Sequence, residues 1–307
     1  MRAFIFPGQG SQAVGMGAAL AAASRAAKDV FDEVDEALGQ NLFRLMREGP
    51  DDELKLTENA QPAIMAHSIA VLRTMGVRVG DVAGFVAGHS LGEYSALCAA
   101  GSFDLATTAK LLKLRGQAMQ QAVPVGEGAM AALLGADLAL AQKIAETAAE
   151  GEVCTVANDN DPSQVVISGQ KSAIDRAIAI AKDMGAKRAV PLSVSAPFHC
   201  PLMQPAAEAM RDALSYVLVR APAVPIFANV TAQPETDPDT IRNQLVEQIT
   251  GMVRWRESVA NMVDAGVHEF IEIGGKVLAA MVKRIVPDAS VTSAITMEDI
   301  ETAVKSL

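Results

Sequence analysis

The residues best equipped for chemistry lie in Gly88-His89-Ser90-Leu91-Gly92. This pentapeptide follows the apolar run Val82 to Ala87 and precedes the helix-like Glu93 to Ala100, which Gly101 can cap. It is a G-x-S-x-G motif in strand-to-helix context. The glycines permit a sharp turn and close packing, so the serine hydroxyl stands at the tip and the next backbone N–H faces a developing oxyanion. The start of a helix adds a favourable dipole for that charge. The competing reading is a glycine-rich turn with an incidental serine, and the agreement of motif and flanks favours chemistry.

Serine is a weak nucleophile at neutral pH and needs a base within hydrogen-bond reach, which directs attention to the four histidines. His199 lies in Ala196-Pro197-Phe198-His199-Cys200-Pro201, an irregular segment whose prolines stiffen the backbone and can present an imidazole. A structural loop histidine is the alternative. His89 adjoins the serine, so its side chain should diverge and serve packing or supporting hydrogen bonds. His67 sits in an Ala-rich helical pattern and His268 precedes a strand, which suits structural roles.

Arg115 is the most informative single charge. In the helical stretch Asp104 to Gln121 its neighbours three and four positions away are Leu111, Leu112, Ala118 and Met119, all apolar. A guanidinium on the core side is costly unless an anion pairs with it, and its planar fork suits a carboxylate. Either an internal ion pair or the free carboxylate of a dicarboxylic acyl group could be that anion. The loop Pro7-Gly8-Gln9-Gly10-Ser11-Gln12-Ala13 mimics a dinucleotide fingerprint, but the chain stays Gly-rich through Gly15 and Gly17 and supplies no clear acidic residue after a second strand. Such a loop beside an elbow can instead lend a backbone N–H, here from Gln9, to the oxyanion.

The elements that must position these groups read as alternating strands and helices. Apolar runs Ala3 to Phe6, Val82 to Ala87 and Glu269 to Ile273 end at Gly-rich turns and precede helical patterns, which predicts a parallel α/β sheet. The middle differs. Ala129 to Leu134, Asp137 to Ala149, Val153 to Ala157, Val165 to Ser168, Ala173 to Met184 and Arg188 to Val194 spell βαββαβ, with Asn158-Asp159-Asn160-Asp161-Pro162 as a turn cluster between the central strands. The expected architecture is a large α/β-hydrolase-like domain with a parallel sheet over residues 1–125 and 196–307. A small ferredoxin-like subdomain is inserted at 126–195.

Composition removes several function classes. Half of the 307 residues are apolar and 20% are charged, which fits a packed globule. Aromatics at 4% and a net charge of −10 disfavour nucleic-acid binding. The uncharged stretch Ala189 to Ala207 is broken by four prolines, so no membrane span is expected. Cys98, Cys154 and Cys200 suit reduced thiols, the histidines show no ligand spacing for a metal, and the N-terminal stretch carries no export pattern. The expectation is a cytoplasmic monomer with no metal.

With Gly8-Gln9-Gly10-Ser11-Gln12, Gly88 to Ala96, Arg115 and Ala196-Pro197-Phe198-His199 in this order, the chain resembles the malonyl-CoA:acyl carrier protein transacylases. Ala60-Gln61-Pro62-Ala63, Asn158, Gln164 to Gly169 and Asn229-Val230 match as well, so the likeness runs nearly end to end. The resemblance implies Ser90 as nucleophile, His199 as base, Gln9 and Leu91 as oxyanion donors, and Arg115 as ligand of the malonyl carboxylate. It adds Asn158 and Gln248 to the substrate site, the latter orienting the histidine through a main-chain carbonyl. It also implies malonyl-CoA and the phosphopantetheine arm of acyl carrier protein as substrates, with no cofactor. The alternatives are a discrete polyketide-synthase acyltransferase and a serine thioesterase or esterase. A carrier-binding scaffold without catalysis is a third class. The family's Gly-Pro-Gly before the C-terminal helix is replaced by Gly274-Gly275, one residue shorter. Lys187, Arg188, Lys276, Lys283 and Arg284 are candidates for docking an acidic carrier.

Overall fold

The computed structural model describes residues Met1–Leu307. Its strands are β1 (Arg2–Phe6), β2 (Phe85–Gly88), β3 (Gly128–Leu134), β4 (Cys154–Asp161), β5 (Gln164–Gln170), β6 (Arg188–Pro191), β7 (Ile226–Phe227), β8 (Pro234–Glu235), β9 (Glu269–Ile273) and β10 (Ser290–Ala294). They form two sheets. The larger has the order β10-β9-β1-β2-β7-β8, parallel except for the short edge strand β8. The smaller is antiparallel, in the order β4-β5-β3-β6.

The apolar runs make the parallel sheet because both of its faces are covered. Successive residues of β1 point to opposite sides. Phe4 and Phe6 join the main core with Val86, Ile271 and Ile273, whereas Ala3 and Ile5 join a second core with Ala87, Phe227 and Phe270. The period of two thus places the sheet between two helical layers. Between β3 and β6 the chain runs through helix Leu138–Ala149, β4, β5 and helix Lys171–Ala181, whose Ile144, Ala145, Ile174 and Ala177 pack on Leu133, Val165 and Ile167. The βαββαβ order read from the sequence is observed. No helix is long and apolar enough to cross a membrane.

Two local expectations need correction. The strand before the elbow is Phe85–Gly88 rather than Val82–Ala87, because Val82 closes a helical turn in which the Ala83 N–H bonds Val79 O. The polar cluster Asn158 to Asp161 is the end of β4, and only Pro162-Ser163 turns. Its polarity suggested a loop, but three of its side chains and one backbone N–H have partners outside the antiparallel sheet. The Asp159 N–H bonds Val253 O, Arg256 grips the Asp159 carboxylate, Arg284 Nε donates to Asp161 Oδ2 at 2.7 Å, and His89 Nε2 meets Asn160 Oδ1 at 2.8 Å. Bulges at Val156/Asn158 and Asp159/Asp161 turn these side chains to their partners. Arg284 is therefore engaged within the protein, as is Lys283, whose Nζ donates to Ala289 O at 2.7 Å.

The elbow tolerates no side chain at its glycines. A Cβ on Gly88 would lie 2.0 Å from the carbonyl carbon of Gly92, and one on Gly92 would lie 2.2 Å from Phe6 O. Both contacts are to backbone, so a side chain must displace β1 or the helix. Gly88→Ala is expected to lower folding stability by about 3 kcal/mol in chemical denaturation; a loss below ~1 kcal/mol would contradict this packing.

Candidate active site

The elbow joins β2 to helix Leu91–Ala99 at the carboxyl end of the parallel sheet, where open α/β sheets bind ligands. Ser90 adopts φ 54 and ψ −111, a left-handed conformation that costs a non-glycine residue about 1–3 kcal/mol. Three hydrogen bonds hold it there. The Ser90 N–H donates to Asn229 Oδ1 at 2.8 Å, Gln248 Nε2 donates to Ser90 O at 3.0 Å, and Asn229 Nδ2 donates to Gly88 O at 2.7 Å.

His199 arrives from the loop between β6 and helix Gln204–Ser215, also with positive φ (57). Its Nδ1–H donates to Gln248 O at 2.8 Å, which leaves Nε2 as the acceptor facing Ser90 Oγ at 2.8 Å. Burial first, and the neighbouring Arg115 charge second, push the imidazole pKa down to about 3. The ring is therefore neutral and able to take the hydroxyl proton.

Arg115, from helix Leu105–Gln121, is 1% exposed. Its Nη1 donates to Gln61 Oε1 at 2.7 Å; its Nη2 donates to Gln248 Oε1 at 2.8 Å and to Ser90 Oγ at 3.2 Å. It lies 5.7 Å from the Tyr94 ring centroid, and its Nε has no acceptor. It forms no ion pair with any carboxylate. The internal-ion-pair alternative therefore does not describe this residue.

Gln9, Ser90, Leu91, Arg115, Asn158 and His199 line one cavity of about 460 Å³. The Gln9 N–H has no acceptor within the protein, and Leu91, as first residue of its helix, has no intrahelical acceptor. Gly8 brings that loop close: a Cβ there would meet His89 O at 2.8 Å. Gln248 stands apart from the cavity wall. It is wholly buried behind Arg115 and His199, which it holds by its side-chain and main-chain oxygens respectively. His67 bonds Gly274 O in the short loop before the C-terminal helices, His268 meets the N-terminal ammonium, and neither lines the cavity.

Sequence reasoning assigned no role to Gln61, Glu93, Asn160 or Asn229. Asn229 and Gln61 are polar groups among apolar neighbours that hold the serine and the guanidinium. Glu93 was legible by the logic used for Arg115: Ala96 and Leu97 follow it at helical spacing, so its carboxyl faces the core. It is 2% exposed, accepts from Gln248 Nε2 at 2.6 Å and the Asn229 N–H at 3.1 Å, and burial raises its pKa to about 7.

A hydroxyl with a neutral imidazole on one side, free N–H groups beside it and a buried cation within reach defines a mixed α/β enzyme built for acyl transfer. The acyl transferase domain profile matches residues 3–299, and the chain belongs to that family, among the malonyl CoA-acyl carrier protein transacylases. It is 48% identical to the malonyl CoA-acyl carrier protein transacylase of Escherichia coli K12 over 285 residues, 92% of each chain. The acyl-carrier-protein S-malonyltransferase of Bartonella henselae superposes with a TM-score of 0.97 at 53% identity, covering 99% of this chain and 98% of that one. A malonyl-transacylase solved in complex with its type II PKS acyl-carrier protein superposes with a TM-score of 0.97 at 41% identity, covering 100% and 99%.

Because the His199 pKa is lowered, its neutral form persists as pH falls through the ordinary histidine range. The acylation rate at saturating acyl-CoA is expected to stay level from about pH 8 to about pH 5. Stopped-flow acylation showing a limb centred near pH ~6.5 would contradict this environment.

Proposed function

We propose that this protein transfers the malonyl group of malonyl-CoA to the phosphopantetheine thiol of an acyl carrier protein, supplying extender units for fatty acid synthesis. The observation that carries the reading is the convergence of two groups on Ser90 Oγ: His199 Nε2 at 2.8 Å, and the guanidinium of Arg115, which has no carboxylate partner, at 3.2 Å. One can activate the hydroxyl, and the other can receive the far carboxylate of a short dicarboxylic acyl group.

In the first half-reaction His199 Nε2 takes the Ser90 proton and Oγ attacks the thioester carbonyl. The tetrahedral oxyanion forms against the Gln9 and Leu91 N–H groups, and coenzyme A leaves as a thiol with the proton from His199. In the second, the carrier thiol gives its proton to His199 and its sulfur attacks the malonyl ester. Ser90 then leaves and recovers the proton. Gln248 O holds the imidazole through both steps where Asp serves in the Ser-His-Asp arrangement. Asn158, on the cavity wall, is assigned to the acyl or pantetheine contacts. The first half-reaction exchanges a thioester for an ester and the second exchanges that ester for a thioester of similar energy, so the transfer runs readily in either direction, and the enzyme uses substrates without a resident cofactor.

In the same reading residues 1–125 and 196–307 are an α/β-hydrolase-like catalytic domain, and 126–195 a ferredoxin-like subdomain. The antiparallel order β4-β5-β3-β6 supports the second assignment.

Mass spectrometry of the intact protein after exposure to malonyl-CoA should show a malonyl adduct that Ser90→Ala abolishes; an adduct on the variant would refute the covalent step. Arg115→Ala is expected to reduce the preference for malonyl-CoA over acetyl-CoA by roughly 100-fold, the equivalent of about 3 kcal/mol for a lost charge-assisted pair. Unchanged selectivity in kcat/KM would remove Arg115 from this role.

A further inference from the structure

Glu93 has no place in the chemistry above, yet it is the one carboxylate tied through a single neighbour to Ser90, His199 and Arg115. One oxygen, Oε2, accepts from Gln248 Nε2 at 2.6 Å and from the Asn229 N–H at 3.1 Å. Gln248 in turn bonds Arg115 Nη2 through Oε1 and His199 Nδ1 through its main-chain O, while Asn229 Oδ1 holds the Ser90 N–H. The Gln248 amide is thereby polarised from both ends, with a cation at its oxygen and an anion at its nitrogen. Its orientation is fixed, because reversal would aim an N–H at the guanidinium and an oxygen at the carboxylate.

We propose that Glu93 is a positioning residue that serves, through the Gln248 amide, as the counter-anion of Arg115 in the empty site and takes up a proton when a substrate carboxylate reaches the guanidinium. The inference rests on the malonyl-transfer reading. A second carboxylate beside one buried cation leaves an excess negative charge in a low-dielectric region, and a proton from solvent on the more deeply buried acid removes it. Protonated Glu93 still presents an acceptor oxygen to Gln248 and Asn229, so the scaffold persists while the charge is exchanged. Burial already raises this carboxyl to about 7, so the uptake falls near neutral pH.

No other ionisable group competes for this part. β1, β2, β7 and helices Thr57–Met75 and Leu105–Gln121 pack on the Glu93 helix. Arg115 is the charge that acts on Glu93, and Tyr94 follows it on its own helix. His67 is committed to Gly274 O, Arg2 to Glu269, and Glu58 to Lys113, while Arg73 and Lys110 are exposed. On the Gln248 helix, Pro238–Thr250, Arg242 pairs with Asp239 and Glu247 is exposed. His199 meets the network through Gln248 O and Ser90 Oγ and makes no contact with the Glu93 carboxyl, while His89 is committed to Asn160.

The test is the KM for malonyl-CoA at saturating carrier protein across about pH 6 to 9. In the wild-type protein it should be level where Glu93 is already protonated and rise at least about fivefold at the alkaline end, where binding requires proton uptake. Acetyl-CoA carries the same titrating phosphate without the carboxylate, and its KM should stay level. Glu93→Gln, whose amide oxygen can accept both hydrogen bonds, should give a level malonyl-CoA profile. A level profile in the wild-type protein overturns the proposal without any variant, as does an equal rise with acetyl-CoA or a rise that survives in Glu93→Gln. Formation of the malonyl-enzyme, read separately by intact mass, distinguishes failure of this inference from failure of the transfer reading.

Discussion

A guanidinium buried to 1% exposure without a carboxylate in contact is the constraint on which the rest of the site depends. Removing such a charge from water costs several kcal/mol, and the ordinary remedy is an adjacent anion. Here the neighbours are the amide oxygens of Gln61 and Gln248 and the face of Tyr94, with the only anion one side chain removed. Dipoles offset part of the desolvation cost and leave attraction for an incoming carboxylate. The same Gln248 that steadies the cation orients the His199 imidazole and holds the elbow, so in the proposed reading binding of the acyl group and activation of the hydroxyl share one support.

The backbone contributes stored strain. Ser90 and His199 both have positive φ, and both are over-determined by their surroundings: the serine by Asn229 and Gln248, the histidine by the Gln248 carbonyl. Glycines at 88 and 92 let helix and strand approach closely, with no room for a side chain at either position. The antiparallel sheet completes the enclosure. Met130 and Leu192 close the cavity from that side, and the buried carboxylates of Asp159 and Asp161 anchor the sheet to Arg256 and Arg284. These pairs rank above ordinary surface ion pairs because their carboxylates are shielded from water.

Much of this was legible in the residues. The elbow motif, the stiffened loop around His199 and a cation on an apolar helix face each announce a group that the fold must bring to water's edge. The alternation of apolar runs gave the parallel sheet, and the βαββαβ order gave its companion. The polar stretch Asn158 to Asp161 was opaque because its partners, His89, Val253, Arg256 and Arg284, are distant in the chain. Local polarity looked like a turn, and tertiary pairing made it a strand. Gln61, Glu93 and Asn229 were unassigned for the same reason: a buried carboxamide or carboxyl acquires meaning only when its partners are known. Gln248 was expected both to orient His199 through its main-chain carbonyl and to stand beside the substrate; its carbonyl meets His199 Nδ1, but its place behind Arg115 and His199 depends on packing that no spacing reveals.

The most direct measurement is a crystal structure of the protein trapped as its malonyl-enzyme. The account predicts an ester on Ser90 Oγ whose carbonyl oxygen faces the Gln9 and Leu91 N–H groups, with the malonyl carboxylate on the Arg115 guanidinium. A malonyl carboxylate directed to solvent, with Arg115 untouched between Gln61 and Gln248, would contradict it.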